Sequence, residues 1–219
     1  SEMCIRDRPK ILHPGGYIDS AGGQMDFLGH GFHIGKYEKD LGQYDYPRDI
    51  FYACFACAMI RRDIYIKLGG MDPYFFLYNE DLDYCWRVWT AGYRVVYVPN
   101  ALAWHIGQIA TSKVPYISLY FGRKNRALTL ISNYELPLAL LSSGILLTFY
   151  LLFIPASYLR GEALEARVNL EVIKGFLRGI RQILKKRFYI NAFKRRSSIY
   201  LLSKGFIAFR LEGIQLYIK

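Results

Sequence analysis

Cysteine is scarce, with four in 219 residues: Cys4, Cys54, Cys57 and Cys85. Cys54 and Cys57 form a lone C-x-x-C, and no second Cys or His pair follows at ligand spacing, which argues against a zinc site. The pair lies in an apolar run, Phe51 to Ile60, that reads as a buried strand. On a strand, residues three apart point to opposite faces, so the two thiols would diverge. Buried free thiols fit a reducing, cytoplasmic compartment. No Walker-type lysine follows the glycine-rich stretches His13-Pro14-Gly15-Gly16, Ala21-Gly22-Gly23 and Gly29-His30-Gly31, so these read as turns rather than phosphate loops. Internal repeats, low-complexity tracts and nucleic-acid reading motifs are also missing, and no nucleic-acid partner is expected.

The chain has no methionine at position 1 and no signal-peptide pattern. Its first string, Ser1-Glu2-Met3-Cys4-Ile5-Arg6-Asp7-Arg8, looks like translated adapter read-through. Residues 1–8 are therefore set aside from the fold, and the natural protein is expected to extend further upstream.

What is present is apolar and aromatic, with 19 Tyr and 14 Phe, a composition that can bury a core. The net charge of +11 is uneven. Residues 1–135 carry 15 Lys/Arg against 14 Asp/Glu, whereas 136–219 carry 14 against 4. A nearly neutral globular part followed by a basic part suggests a domain joined to something that meets an anionic surface.

From Phe51 the pattern is strand, helix, strand. Asp63 is placed to cap a short helix over Ile64–Leu68 that stops at Gly69-Gly70. A second helix starts near Asn79 or Glu80, with Leu82, Cys85, Trp86 and Trp89 at helical spacing, and ends at Ala91-Gly92. Tyr93 to Val98 is a strand stopped by Pro99-Asn100, and Ala101 to Trp104 a short extended piece before His105. This rhythm indicates an α/β layer.

Glu80, Asp81 and Asp83 are the most suggestive group. Acidic side chains in a first turn complement the helix dipole, which by itself accounts for them. The functional reading keeps one carboxylate ionised at a cleft edge as a general base on a hydroxyl. His105, between Trp104 and Ile106-Gly107, reads more readily as a hydrogen-bonded structural residue than as a ligand.

The stretches Ala56-Cys57-Ala58-Met59-Ile60-Arg61-Arg62, Leu68-Gly69-Gly70-Met71-Asp72 and Phe75-Phe76-Leu77-Tyr78-Asn79-Glu80-Asp81-Leu82-Asp83-Tyr84-Cys85-Trp86-Arg87, continuing through Ala91–Pro99 to Trp104-His105, resemble the second half of a GT-A catalytic domain. The similarity is to bacterial family 2 glycosyltransferases, particularly the rhamnosyltransferase-like group, over residues 50–107 and more loosely over 15–50. The resemblance implies that Asp81 is the catalytic base of an inverting transfer, supported by Glu80, and that Asp83 and Tyr78 contact substrate. It also implies that His105 helps hold a divalent metal, Mg or Mn, which neutralises the departing nucleotide diphosphate. The implied partners are a nucleotide-sugar donor and a glycan or lipid-linked acceptor in cell-envelope polysaccharide synthesis. The Asp-x-Asp motif and nucleotide-binding strands of such enzymes are expected upstream, so residues 1–219 alone are expected to be inactive.

The expected organisation is an α/β unit over 9–127, the C-terminal half of the GT-A domain, followed by a membrane-associated helical region over 128–219. Leu136 to Leu159 carries no charged side chain and is long enough to cross a bilayer. Residues 168–188 form a basic amphipathic helix, with Leu170, Ile173, Phe176, Leu177, Ile180, Ile183, Leu184 and Phe188 on one face. A single crossing would export the +10 tail against the positive-inside tendency, so an interfacial or re-entrant hairpin on the cytoplasmic face of the cell membrane is expected. Two alternatives stand beside this: a hydrophobic helix packed on a soluble protein, and a non-enzymatic basic membrane-surface module whose acidic cluster only caps a helix.

Overall fold

A computed structural model of the chain describes residues 4–106 and 114–209, with side chains from residue 8 on. β1 (Cys4–His13) is the middle of a five-stranded sheet. One edge of β1 pairs in parallel with β7 (Arg94–Trp104); the other pairs with β2 (Tyr17–Ser20) and, nearer its start, with β6 (Met59–Ile60), both antiparallel. β5 (Arg48–Asp49) covers the far edge of β7. Residues 4–8, set aside in the sequence, form the first half of this central strand.

The apolar run Phe51–Ile60 is a loop apart from β6, not a strand. Both edges of β1 are already taken, so the run finds other partners. The N–H groups of Phe51 and Tyr52 donate to the Gly23 carbonyl, and that of Ala53 donates to Cys85 Sγ at 3.3 Å. β7, by contrast, runs on through the expected stop at Pro99. Its pairing steps from Pro9–Val98 to Lys10–Leu102, so residues 99–101 bulge outward, where the missing proline N–H breaks no ladder bond.

α1 (Arg62–Lys67) ends as expected on glycines with φ of +77° and +61°, and the Gly70 N–H closes the turn on the Tyr65 carbonyl. Asp63 lies within the helix rather than capping it, and pairs with the exposed Arg61. α2 (Glu80–Thr90) starts and stops where its pattern indicates. It buries Leu82, Cys85, Trp86 and Trp89, with Trp86 edge-on to Tyr134 and Trp89 against Phe206.

α3 (Pro115–Asn133), α4 (Leu136–Leu159) and α5 (Ala163–Phe193) pack on one another, and α2 packs against α3 and β7. The domain boundary expected at residue 127 falls inside α3. After α6 (Ser198–Ser203), β8 (Ile207–Ala208) joins β3 (Gly23–Asp26) in parallel, and β3 pairs with β4 (Gly31–His33). The tail therefore threads back into the α/β part. α5 divides its apolar residues: Val172, Phe176 and Ile183 are buried, while Leu170, Leu177, Leu184 and Phe188 stay exposed. Gly175 and Gly179 allow close approach, because the hydroxyls of Tyr120 and Tyr74 sit where their Cβ atoms would be.

Asp83 ties these pieces together. Expected to contact substrate, it is instead wholly buried. Its Oδ2 accepts from Arg87 Nη2 at 2.9 Å and from Lys186 Nζ of α5 at 2.9 Å, and its Oδ1 accepts from Asn133 Nδ2 of α3 at 2.8 Å. Arg87 also donates to the carbonyls of Leu68 and Gly70, and Lys186 pairs with Asp72 at 3.1 Å. Burial would raise the Asp83 pKa, but Lys186 and Arg87 outweigh it and hold the carboxyl below its ordinary range. Removing this carboxylate leaves the buried Arg87 without its ion-pair partner and Lys186 with Asp72 alone, so Asp83→Ala is expected to cost about 3–5 kcal/mol in urea unfolding. A loss under about 1 kcal/mol would show that the cluster is not load-sharing in this way.

Candidate functional site

The site is built where a left-handed loop turns into α2. Phe76, Tyr78 and Asn79 have φ of 57°, 65° and 65°, so the chain coils tightly just before Glu80. Asp81 is half-buried, and its Oδ1 accepts from the Leu82 N–H at 2.7 Å, one of the unpaired donors of the helix start. Glu80 lies beside it with Oε2 buried and without a hydrogen-bond partner. Burial first, and the Asp81 carboxylate second, push the Glu80 carboxyl up to about 7. Below that pH Glu80 holds its proton. Tyr78, expected to contact substrate, turns to α3, where its hydroxyl is 3.3 Å from Ser118 Oγ.

His105 follows β7, its N–H donating to the Leu12 carbonyl at 2.9 Å. Its Nδ1 lies 2.8 Å from Asp19 Oδ2, and the other oxygen of Asp19 is 3.1 Å from His13 Nε2. His33 Nδ1 is 3.2 Å from the Asp19 carbonyl. Burial would raise the Asp19 pKa, but the His105 hydrogen bond and the nearby His33, His13 and Lys36 charges lower it. Burial, with Arg8 and Lys36, takes His33 down to about 4.

The loop Tyr52–Cys54 links the two groups. Asp81 acts electrostatically on Tyr52 and Cys54, Asp19 acts on Cys54, and His33 lies against the Tyr52 ring with centroids 6.0 Å apart. Asp81 and Asp19, the partner of His105, thus both act on Cys54, whereas Asp83 pairs with Lys186 and Tyr78 turns to Ser118. Two cavities, of ~210 and ~140 Å³, lie along the seam of α5 with the ends of α1 and α2, and neither is lined by Glu80, Asp81 or His105.

Among the described residues, no three His, Cys, Asp or Glu side chains are grouped to hold a metal. His105 offers one free ring nitrogen, since its other is engaged by Asp19. These residues alone do not fit the expected divalent-metal site. Cys54 is half-buried, Cys57 exposed and both are free thiols.

Sequence reasoning missed Asp19, His13 and His33, which are spread over β1, β2 and β4 with no common spacing. It also missed Arg8, wholly buried, whose guanidinium acts on His33, Tyr52 and Cys54.

The raised Glu80 pKa has a stability consequence. The folded state holds its proton more tightly than the unfolded chain, so this group's contribution is complete below about 4.5 and is lost as pH rises through about 7. Glu80→Gln cannot ionise, so its stability relative to wild type is expected to grow between pH 4.5 and 7 and to level off above. Thermal melts across that range check this, and a pH-independent difference would contradict it.

No family model matches this chain. A 60-residue stretch, 27% of the chain, is 37% identical to N-acetylglucosaminyl-diphospho-decaprenol L-rhamnosyltransferase of Mycobacterium tuberculosis and covers 20% of that protein. A stretch of 93 residues, 40% of the chain, is 31% identical to the O-antigen biosynthesis protein RfbC of Myxococcus xanthus and covers 7% of it. The crystal structure of GalNAc-T7 with UDP, GalNAc and Mn2+ aligns with 58% of this chain and 26% of that one, at 16% identity and a TM-score of 0.42. The matches span a fifth or less of the curated relatives' length. Over part of its sequence, this chain is similar to a rhamnosyltransferase.

Proposed function

We propose that this chain forms the acceptor side of an inverting glycosyltransferase of GT-A type. It would move a sugar from a nucleotide-diphospho-sugar to a hydroxyl of a glycan or lipid-linked acceptor in cell-envelope polysaccharide synthesis. The observation that carries the reading is the carboxylate pair at the mouth of α2, in which a half-buried Glu80 keeps its proton up to about pH 7 beside the Asp81 carboxylate. The partial identity to a rhamnosyltransferase supports it.

In this mechanism Asp81 takes the proton from the acceptor hydroxyl as that oxygen forms a bond to the anomeric carbon. The bond from that carbon to the diphosphate breaks on the opposite side, the diphosphate leaves with the electron pair, and the configuration inverts. Glu80, neutral, lets the charge stay on one oxygen-bearing group instead of two. Asp81→Asn in the full-length protein is expected to lower kcat about 10²–10⁴-fold with the donor KM little changed. A wild-type rate in a folded variant would remove Asp81 from the reaction.

The reading also places the protein at the cytoplasmic face of a membrane. α4 is one helix long and apolar enough to cross a bilayer, and among its side chains Leu140, Leu141, Leu151, Leu152 and Leu159 are exposed. The exposed stripe Leu170, Leu177, Leu184 and Phe188 on α5 is flanked by exposed Lys174, Arg178, Arg181 and Lys185, a pattern suited to an anionic interface. Flotation with vesicles containing acidic phospholipid is expected to carry the chain, and Leu177→Glu with Leu184→Glu to abolish it. Equal flotation of the double variant would place the contact elsewhere.

A further inference from the structure

The backbone ahead of α2 follows a path that side-chain-bearing residues resist. Of Phe76, Tyr78 and Asn79, all in the left-handed region, only the asparagine is a residue that adopts it readily. A strained turn persists only where its surroundings over-determine it. Here the surrounding group is Asn125 of α3, whose side chain lies wholly within the protein. Its Nδ2 donates to the carbonyls of Phe75, Leu77 and Tyr78 at 2.7, 2.7 and 2.9 Å.

Three acceptors share the two hydrogens of one amide nitrogen. They also fix the amide's orientation, because a flipped Oδ1 would face three other oxygens. The cost of this arrangement is visible at the other end, where Asn125 Oδ1 is buried without a hydrogen-bond partner. The loop so gathered feeds directly into the helix, since the Asn79 carbonyl accepts from the Asp83 N–H at 2.9 Å and closes the first turn of α2.

We propose that Asn125 is a positioning residue for the Glu80–Asp81 pair. By clamping the carbonyls of residues 75, 77 and 78 it keeps the left-handed loop coiled, and so sets the direction in which the start of α2 presents Asp81. The role rests on the reading of Asp81 as the base, and Asn125 itself touches no reacting atom.

Two readouts test it. Amide hydrogen exchange of the whole chain reads the clamp without any assumption about activity: in Asn125→Ala, exchange across residues 76–83 is expected to speed up about tenfold while β7 is unchanged. In the full-length protein, the same variant is expected to lose about 100-fold in kcat with the donor KM held, as a small misplacement of a reacting group does. Phe76→Gly accepts a φ of 57° freely and is expected to restore part of that rate. Asn125→Ser, which retains one donor, replaces the alanine variant if that one does not fold, and is expected to show smaller effects of the same kind. Unchanged exchange over 76–83 overturns the clamp, and faster exchange with a wild-type kcat overturns the positioning role. Failure of the base assignment has a different signature, an active Asp81→Asn in a protein whose loop exchange is normal.

Discussion

A carboxylate with no access to water, held by two cations from two helices, is the constraint on which the architecture turns. Asp83 is bound by Arg87 one turn along α2, by Lys186 of α5 and by Asn133 of α3. Through Arg87 it also fixes the Gly69–Gly70 turn that closes α1. Burying a charge this deeply is unfavourable unless every lone pair is met, and here the partners come from segments more than 100 residues apart in sequence. One point therefore registers the C-terminal helices on the sheet domain. α5 is consequently part of the scaffold that holds α2, even while its other face carries the exposed leucines.

The first turn of α2 divides labour between its acidic side chains. Asp83 points into the protein and is consumed by ion pairs. Asp81, two residues earlier and just over half a turn around the axis, stays half-buried and acts electrostatically on Tyr52 and Cys54. Glu80 between solvent and core stays protonated to about 7. Three carboxyls in four residues would repel one another if all were equally placed; separate environments let one lock, one stay neutral and one carry charge.

Much of this was legible in the sequence, and the failures have physical causes. The limits of α2 followed from its apolar period and from Gly92, whose φ of +96° lets the chain leave the helix. The uncharged span 136–159 coincides with α4. The motif of consecutive acidic residues pointed to the right helix end but did not separate Asp81 from Asp83, because that difference depends on Lys186 and Asn133, which no local pattern connects to them. Pro99 read as a strand stop because a sequence shows the missing N–H but not the bulge that accommodates it. α3 was not read as a helix at all: its Arg123, Lys124, Asn125 and Arg126 are polar yet buried, an arrangement hidden from any hydropathy pattern. The histidines around Asp19 come from separate strands and meet only through the sheet.

The central claim is that Asp83 and Lys186 are energetically coupled across the α2–α5 seam, so that the helical tail and the acidic helix fold as one. A double-mutant cycle of Asp83→Asn and Lys186→Met, read by urea unfolding of the whole chain, measures this coupling directly. The account predicts an interaction energy on the order of 1–3 kcal/mol. Strictly additive effects, with no interaction between the two positions, would contradict it.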